Sequence, residues 1–185
     1  FLGFIKPTSG KATINDESVA IAPESARKQL AYIPETVMLY PNLTGLQNLK
    51  FFSSLAGFKY AQQDLVKFLQ KAGLQDSAHQ KVTKGYSKGM RQKVGIAIAL
   101  AKKAKALLLD EPTSGLDPKA ANEFSNILTE LATQDTSILM ATHDIFRAKE
   151  IAHRIGILKE GNLVSQVETS SLSAQELEQL YLQTV

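Results

Sequence analysis

An apolar run, Leu107-Leu108-Leu109, delivers two adjacent carboxylates, Asp110 and Glu111, into the string EPTSGLDP. In an open α/β sheet, ligands sit beyond the carboxyl ends of the strands, so acids at such an end face a ligand from a fixed platform. Asp110, nearest the strand, suits a divalent metal beside nucleotide phosphates, and Glu111 suits polarisation or deprotonation of an attacking water. Taken alone, the run LLLD fits equally well a core strand that ends in a turn, its acids capping backbone N–H groups. A second candidate is Ser87-Lys88-Gly89-Met90, at the start of a helical pattern. The exposed N–H groups and about half a positive charge at a helix start suit an anion, and a plain serine N-cap has the same look. His143 ends a second strand-like run, SILMATHD, whereas His79, read as lying in a polar loop, and His153, near a helix end, carry no assignment.

These groups need elements to hold them. The opening PTSGKATINDESV reads as a hairpin turning at Asn15-Asp16, an antiparallel edge, and LAYIP at 30–34 as a strand. A helical third follows. Thr44 and Gln47 have capping-box spacing before a helix that Gly57 ends, a second helix runs from about Ala61 to Ala72 before Gly73, and a third begins beside Ser87. Strand ALLLDEP, a helix from Pro118 after Asp117 and strand SILMATHD then imply a parallel sheet. Two closing strands turn around Glu160-Gly161-Asn162, and Ser173 with Glu176 caps a last helix.

Composition narrows the class. The 185 residues fit one domain with a core, and 44% hydrophobic with 21% charged residues is ordinary for a globular protein. Twenty-one basic against 18 acidic residues gives +3, and the densest cluster, Lys102, Lys103 and Lys105, follows an apolar helical run where cations meet the negative end of the dipole, so no nucleic-acid partner is expected. Without cysteine there is no disulfide or thiolate metal site, and the longest apolar stretch, Val94 to Ala101, is far short of the roughly 18 residues of a membrane helix. The chain opens on Phe1 with no signal-peptide pattern, and it reads as having lost an upstream segment.

The string LLLDEPTSGLDP resembles the Walker B motif and D-loop of ABC ATPases. Further segments fall in the family's order: FLGFIKPTSG, YIPE with LYPNLT around the Q-loop, YSKGMRQKV for the signature motif and LMATHD for the switch histidine. The resemblance implies a P-loop NTPase (RecA-like) α/β core, 1–35 and 102–185, with a helical subdomain inserted at 36–101 and a partial antiparallel β edge. It further implies ATP and Mg2+ as ligands, and catalytic roles for Glu111 and His143. Metal contacts fall to Asp110 and Glu35, and nucleotide contacts to Ser87, Lys88, Gly89, Met90, Glu35 and Asp117. Two copies would meet head to tail, each Glu111 opposite the partner subunit's Ser87. Such a dimer works with transmembrane permease subunits, peripherally at the cytoplasmic face of the inner membrane. Asp117 is also a good N-cap before Pro118, and both roles fit.

The match has gaps. No GxxxxGK[ST] occurs; at the sole Gly-Lys pair, Gly10-Lys11, Ala12 follows and Ile5 stands where the loop wants glycine. The expectation is a chain that starts after that loop, inactive on its own. Glu35 stands where most members have glutamine, and YSKGM replaces LSGGQ; both are similar to bacterial export-type subunits, which points to an exporter. Met38, Leu39, Tyr40, Phe51 and Phe52 suit either docking on a membrane subunit or packing in a small core. Two rival readings stand beside the exporter: a non-catalytic remnant subunit without a P-loop, and a soluble ABC ATPase outside transport.

Overall fold

The computed structural model describes residues 1–184 and divides into two compact units, Phe1–Ala141 and Thr142–Val185. The first unit opens with a hairpin, β1 (Thr13–Ile14) against β2 (Glu17–Ser18). Asn15 and Asp16 both take left-handed backbone angles, φ 48° and 65°, as a two-residue hairpin turn with right-handed strand twist requires. A short helix, α1 (Pro23–Lys28), leads to β3 (Leu30–Ile33). β3 pairs in parallel with β4 (Ala106–Asp110), and β4 with β5 (Ser137–Ala141), in the order β3-β4-β5. β4 is therefore bonded on both edges. Its Leu107 and Leu109 are buried, while Asp110 at its end is exposed.

Between β3 and β4 the chain is helical: α2 (Gly45–Leu55), α3 (Gln62–Lys71), a single turn α4 (Asp76–His79) and α5 (Lys88–Ala101). The capping box expected at Thr44 is formed, with Gln47 N–H donating to Thr44 Oγ1 at 3.1 Å and Thr44 N–H to Gln47 Oε1 at 2.9 Å. Gly57 and Gly73, at φ 90° and 72°, carry the chain away from α2 and α3. Helices α2, α3 and α5 pack on one another through Leu49, Leu65, Leu69 and Val94, all buried, and α5 also lies on β3. At Gly95 the packing is close, since a Cβ there would stand in ordinary contact, 3.4 Å from Val37 and 3.5 Å from Ile33. Helix α6 (Pro118–Ala132) connects β4 to β5 and packs on α5 through Lys93, whose ammonium meets Glu123 at 2.6 Å.

His79 corrects the sequence reading. It lies in α4, 4% exposed, with Nε2 2.9 Å from the carbonyl oxygen of Leu74, so it is a buried, bonded core residue and not part of a polar loop. Lys102 is likewise more than a dipole partner, because its ammonium donates to the carbonyls of Arg27 and Leu30 at 2.6 and 2.5 Å.

The second unit holds α7 (Ile145–Ile151), the antiparallel pair β6 (Arg154–Lys159) and β7 (Asn162–Glu168), and α8 (Ala174–Thr184). The β6-β7 turn is Glu160-Gly161, both at positive φ, with Asn162 already in β7. Ser173 and Glu176 exchange the two bonds of a capping box ahead of α8.

Lys93 holds the Glu123 carboxyl below the usual carboxylate range, by its hydrogen bond first and its charge second. A carboxyl depressed in the folded state stabilises the fold above the ordinary glutamate pKa, and that contribution is lost as pH falls through the depressed value. Glu123→Gln should therefore lower the unfolding temperature at neutral pH, with the gap to wild type closing on acidification. Thermal melts across pH check this, and a gap that persists at low pH contradicts it.

Candidate functional site

The carboxyl end of β4 makes an abrupt turn. Asp110 is the last paired residue, opposite Ala141, and Tyr32 donates its hydroxyl to Asp110 Oδ2 at 3.3 Å. Partial burial, the Asp110 charge and that hydrogen bond, in this order, push the Tyr32 phenol above its ordinary pKa and keep it a donor. Glu111 extends the ladder by one bond, N–H to Ala141 O at 2.9 Å, and then takes φ 43°. A left-handed backbone costs a non-glycine residue about 1–3 kcal/mol and persists where the surroundings fix it, commonly at functional sites. Its carbonyl accepts from Ser114 N–H at 3.2 Å, and Leu116 N–H donates to Thr113 O at 3.2 Å. Gly115, at φ 66°, completes the loop, and Asp117 caps α6 by accepting from Ala120 N–H at 2.9 Å.

The start of α5 is seated on this loop. Ser87 is its N-cap, with Oγ accepting from Met90 N–H at 3.3 Å, and the preceding Tyr86 is buried with its hydroxyl donating to Ala78 O at 2.7 Å. Gly89 faces Leu116 and Ala120 closely enough that a Cβ would stand 3.5 Å from Ala120 and 3.6 Å from Leu116. Lys88 reaches both ways: its ammonium is 3.1 Å from Glu35 Oε1, and a Cβ on Gly115 would stand 3.8 Å from the same nitrogen.

Glu35, just past β3, is tied to α5 twice. Besides Lys88, the fully buried Gln92 donates Nε2 to the carbonyls of Glu35, at 2.9 Å, and Pro34, at 3.3 Å. The structure thus brings Glu35, Lys88, Gly89 and the 115–117 turn into contact, with Ser87 and Met90 on the first turn of the same helix and Asp110 and Glu111 at the start of the same loop. His143 belongs to the second unit, two residues beyond β5, where its carbonyl accepts from Ile145 N–H at 3.1 Å.

Asp110 and Glu35 offer hard carboxylate oxygens. Among the described residues no group of three His, Cys, Asp or Glu could enclose a metal. Mg2+ ordinarily takes only one or two carboxylates and fills its remaining positions with phosphate oxygens and water, so this donor set fits it in the company of a phosphate.

The sequence reading missed Gln92 and Tyr86. The available signal for Gln92 was an amide among the apolar residues of α5, close to the turn where Lys88 and Gly89 stand; its partners lie 57 and 58 residues away.

Residues 1–114 match the family model described as ABC transporter. An uncharacterized ABC transporter ATP-binding protein, YdbJ, of Bacillus subtilis is 37% identical over 167 residues, 90% of this chain and 54% of that protein. A fluoroquinolones export ATP-binding protein of Mycobacterium tuberculosis is 35% identical, over 89% of this chain and 54% of its own. The chain spans about half the length of the curated relatives it matches. Among solved structures, the dimeric post-hydrolysis state of the ATP-binding cassette MJ0796, bound to ADP and Pi, superposes with a TM-score of 0.77 at 25% identity, over 90% of this chain and 76% of that one.

Gln92→Leu should remove the donor from the part-buried carbonyls of Pro34 and Glu35, at a cost of about 0.5–1.5 kcal/mol. Urea unfolding measures this, and an unchanged midpoint would contradict the anchoring role.

Proposed function

The chain belongs to the ABC transporter family, and we propose that it is the ATP-binding part of an exporter, hydrolysing ATP with Mg2+ at the interface of a head-to-tail dimer. The observation that carries this reading is the end of β4, where Asp110 and a backbone-constrained Glu111 open a loop on which the first turn of α5 rests. Glu111 is the general base. As the oxygen of the attacking water bonds to the γ-phosphorus, Glu111 takes the water's proton, the bond from that phosphorus to the bridging oxygen breaks, and the electron pair leaves with ADP. His143 hydrogen-bonds the γ-phosphate and the water.

Charge on the transferred phosphoryl group meets Ser87 of the partner subunit and the N–H groups that follow it, which a helix start aims outward. Lys88, Gly89 and Met90 belong to the same anion contact. Asp110 and Glu35 would hold Mg2+, which neutralises phosphate charge when bound. Asp117 caps α6 and reports across the dimer interface at the same time. The β-phosphate cradle and the adenine-stacking aromatic are assigned to no residue of this chain.

Coupling to transport requires a face for membrane-embedded permease subunits. Tyr40, Phe51 and Phe52 form a ring cluster with centroids 4.9 to 6.0 Å apart. Tyr40 and Phe51 remain about half exposed, and the neighbouring Met38 is 79% exposed. Leu39 is half-buried beside them. Among the described residues no helix is long and apolar enough to cross a membrane. These half-exposed aromatics are the residues proposed to meet the permease. The export direction is supported by the fluoroquinolones export relative and by the two substitutions, Glu35 and the YSKGM signature. The location proposed is peripheral, at the cytoplasmic face of the inner membrane.

Glu111→Gln in the full natural chain should slow ATP turnover by about 10²- to 10⁴-fold while ATP binding persists. Near-normal turnover in a phosphate-release assay would remove Glu111 from its role. For the docking face, Tyr40→Asp should reduce co-purification with the permease subunits, and undiminished recovery of a folded variant would speak against it.

A further inference from the structure

Glu35 and Lys88 are read separately from the sequence as two departures from the usual ABC pattern, a carboxylate in place of an amide and a lysine in place of a glycine. In the structure they are one unit. Lys88 Nζ stands 3.1 Å from Glu35 Oε1, across 53 residues of chain. Gln92, one turn further along α5, fixes the Glu35 backbone from the same helix at 2.9 Å. The first substitution adds a negative charge where phosphates and a metal are to bind, and the second places a positive charge 3.1 Å from it.

Stability does not account for the pair. The two side chains are 27% and 53% exposed, and ion pairs this open add little to folding because water and salt screen them. Their value lies in the charge they present to a ligand. Lys88 also lies beside Gly115, where a Cβ would stand 3.8 Å from its nitrogen, so the ammonium sits between Glu35 and the loop that begins with Asp110 and Glu111.

We infer that Lys88 is the positioning residue for Glu35: it holds the carboxylate in place and cancels the charge that Glu35 brings to the MgATP site. This rests on the ATP reading above. Without Lys88, Glu35 repels the phosphates; without both, a neutral amide stands there, whose oxygen can still serve the metal, and the repulsion disappears. The two residues are therefore coupled in nucleotide affinity far more than in stability.

The test is a double-mutant cycle on the full natural chain, with mant-ATP and Mg2+ as the probe and Lys88→Met, Glu35→Gln, their combination and Lys88→Arg as the variants. Lys88→Met should weaken binding about 5- to 20-fold at low salt, the range of a single coupling between charged groups. Glu35→Gln in the same chain should recover most of that loss, and Lys88→Arg, which keeps the charge, should bind more tightly than Lys88→Met. Raising salt should shrink the Lys88→Met defect, which a merely structural defect would not do. A Lys88→Met loss that is equally large with and without Glu35→Gln overturns the pairing. Wild-type protein that binds no mant-ATP instead overturns the ATP reading itself, and the two failures are told apart by that first titration.

Discussion

A strand bonded on both edges can hold charged groups at its end with little freedom, and β4 is such a strand. Its residues are in register with β3 on one side and β5 on the other. The ladder runs one bond beyond the strand, through Glu111 N–H to Ala141 O, and only then does the backbone turn into the left-handed region. Asp110 and Glu111 thus stand on firmly constrained backbone. The strain at Glu111 is tolerated there because the sheet, and the Ser114 bond to its carbonyl, fix the turn.

The second half of the arrangement follows from α5. That helix packs at Gly89 on Leu116 and Ala120 and at Gly95 on Ile33 and Val37, so its first turn, its lysine and its buried Gln92 converge on the loop after β4 and on Glu35. Tyr86, anchored by its hydroxyl to Ala78, fixes the chain immediately before Ser87. Ser87, Asp110 and Glu111 are therefore set by one strand end and one helix start.

The legible part of this was local. Thr44 with Gln47, Ser87, Asp117 and Ser173 with Glu176 cap helices through bonds three residues long, and a sequence displays that spacing directly. The parallel sheet was legible because its strands read as apolar runs separated by a helical period, although β5, read as a buried strand, has no buried residue and leaves Leu139 55% exposed. α1 and α4 were not: six and four residues are too short to establish a helical repeat, and α4 carried a histidine whose burial depends on the Leu74 carbonyl. The contacts of Gln92 and Lys88 with Glu35 span more than fifty residues, and no local pattern encodes them. The residue types gathered at the strand end and helix start were visible one by one in the sequence, but the link between Glu35 and Lys88 was not.

In the proposed dimer, Glu111 of one subunit works opposite Ser87 of the partner subunit, and the rest of the mechanism depends on that pairing. The most direct test is to mix two variants, Glu111→Gln and Ser87→Glu, each purified as the full natural chain and each unable to turn over ATP. In a head-to-tail dimer the mixed species has one site carrying both changes and one carrying neither, so random pairing of equal amounts should restore about a quarter of wild-type turnover. If the two groups instead serve a site within one subunit, every site keeps one lesion, and no recovery on mixing would contradict the pairing.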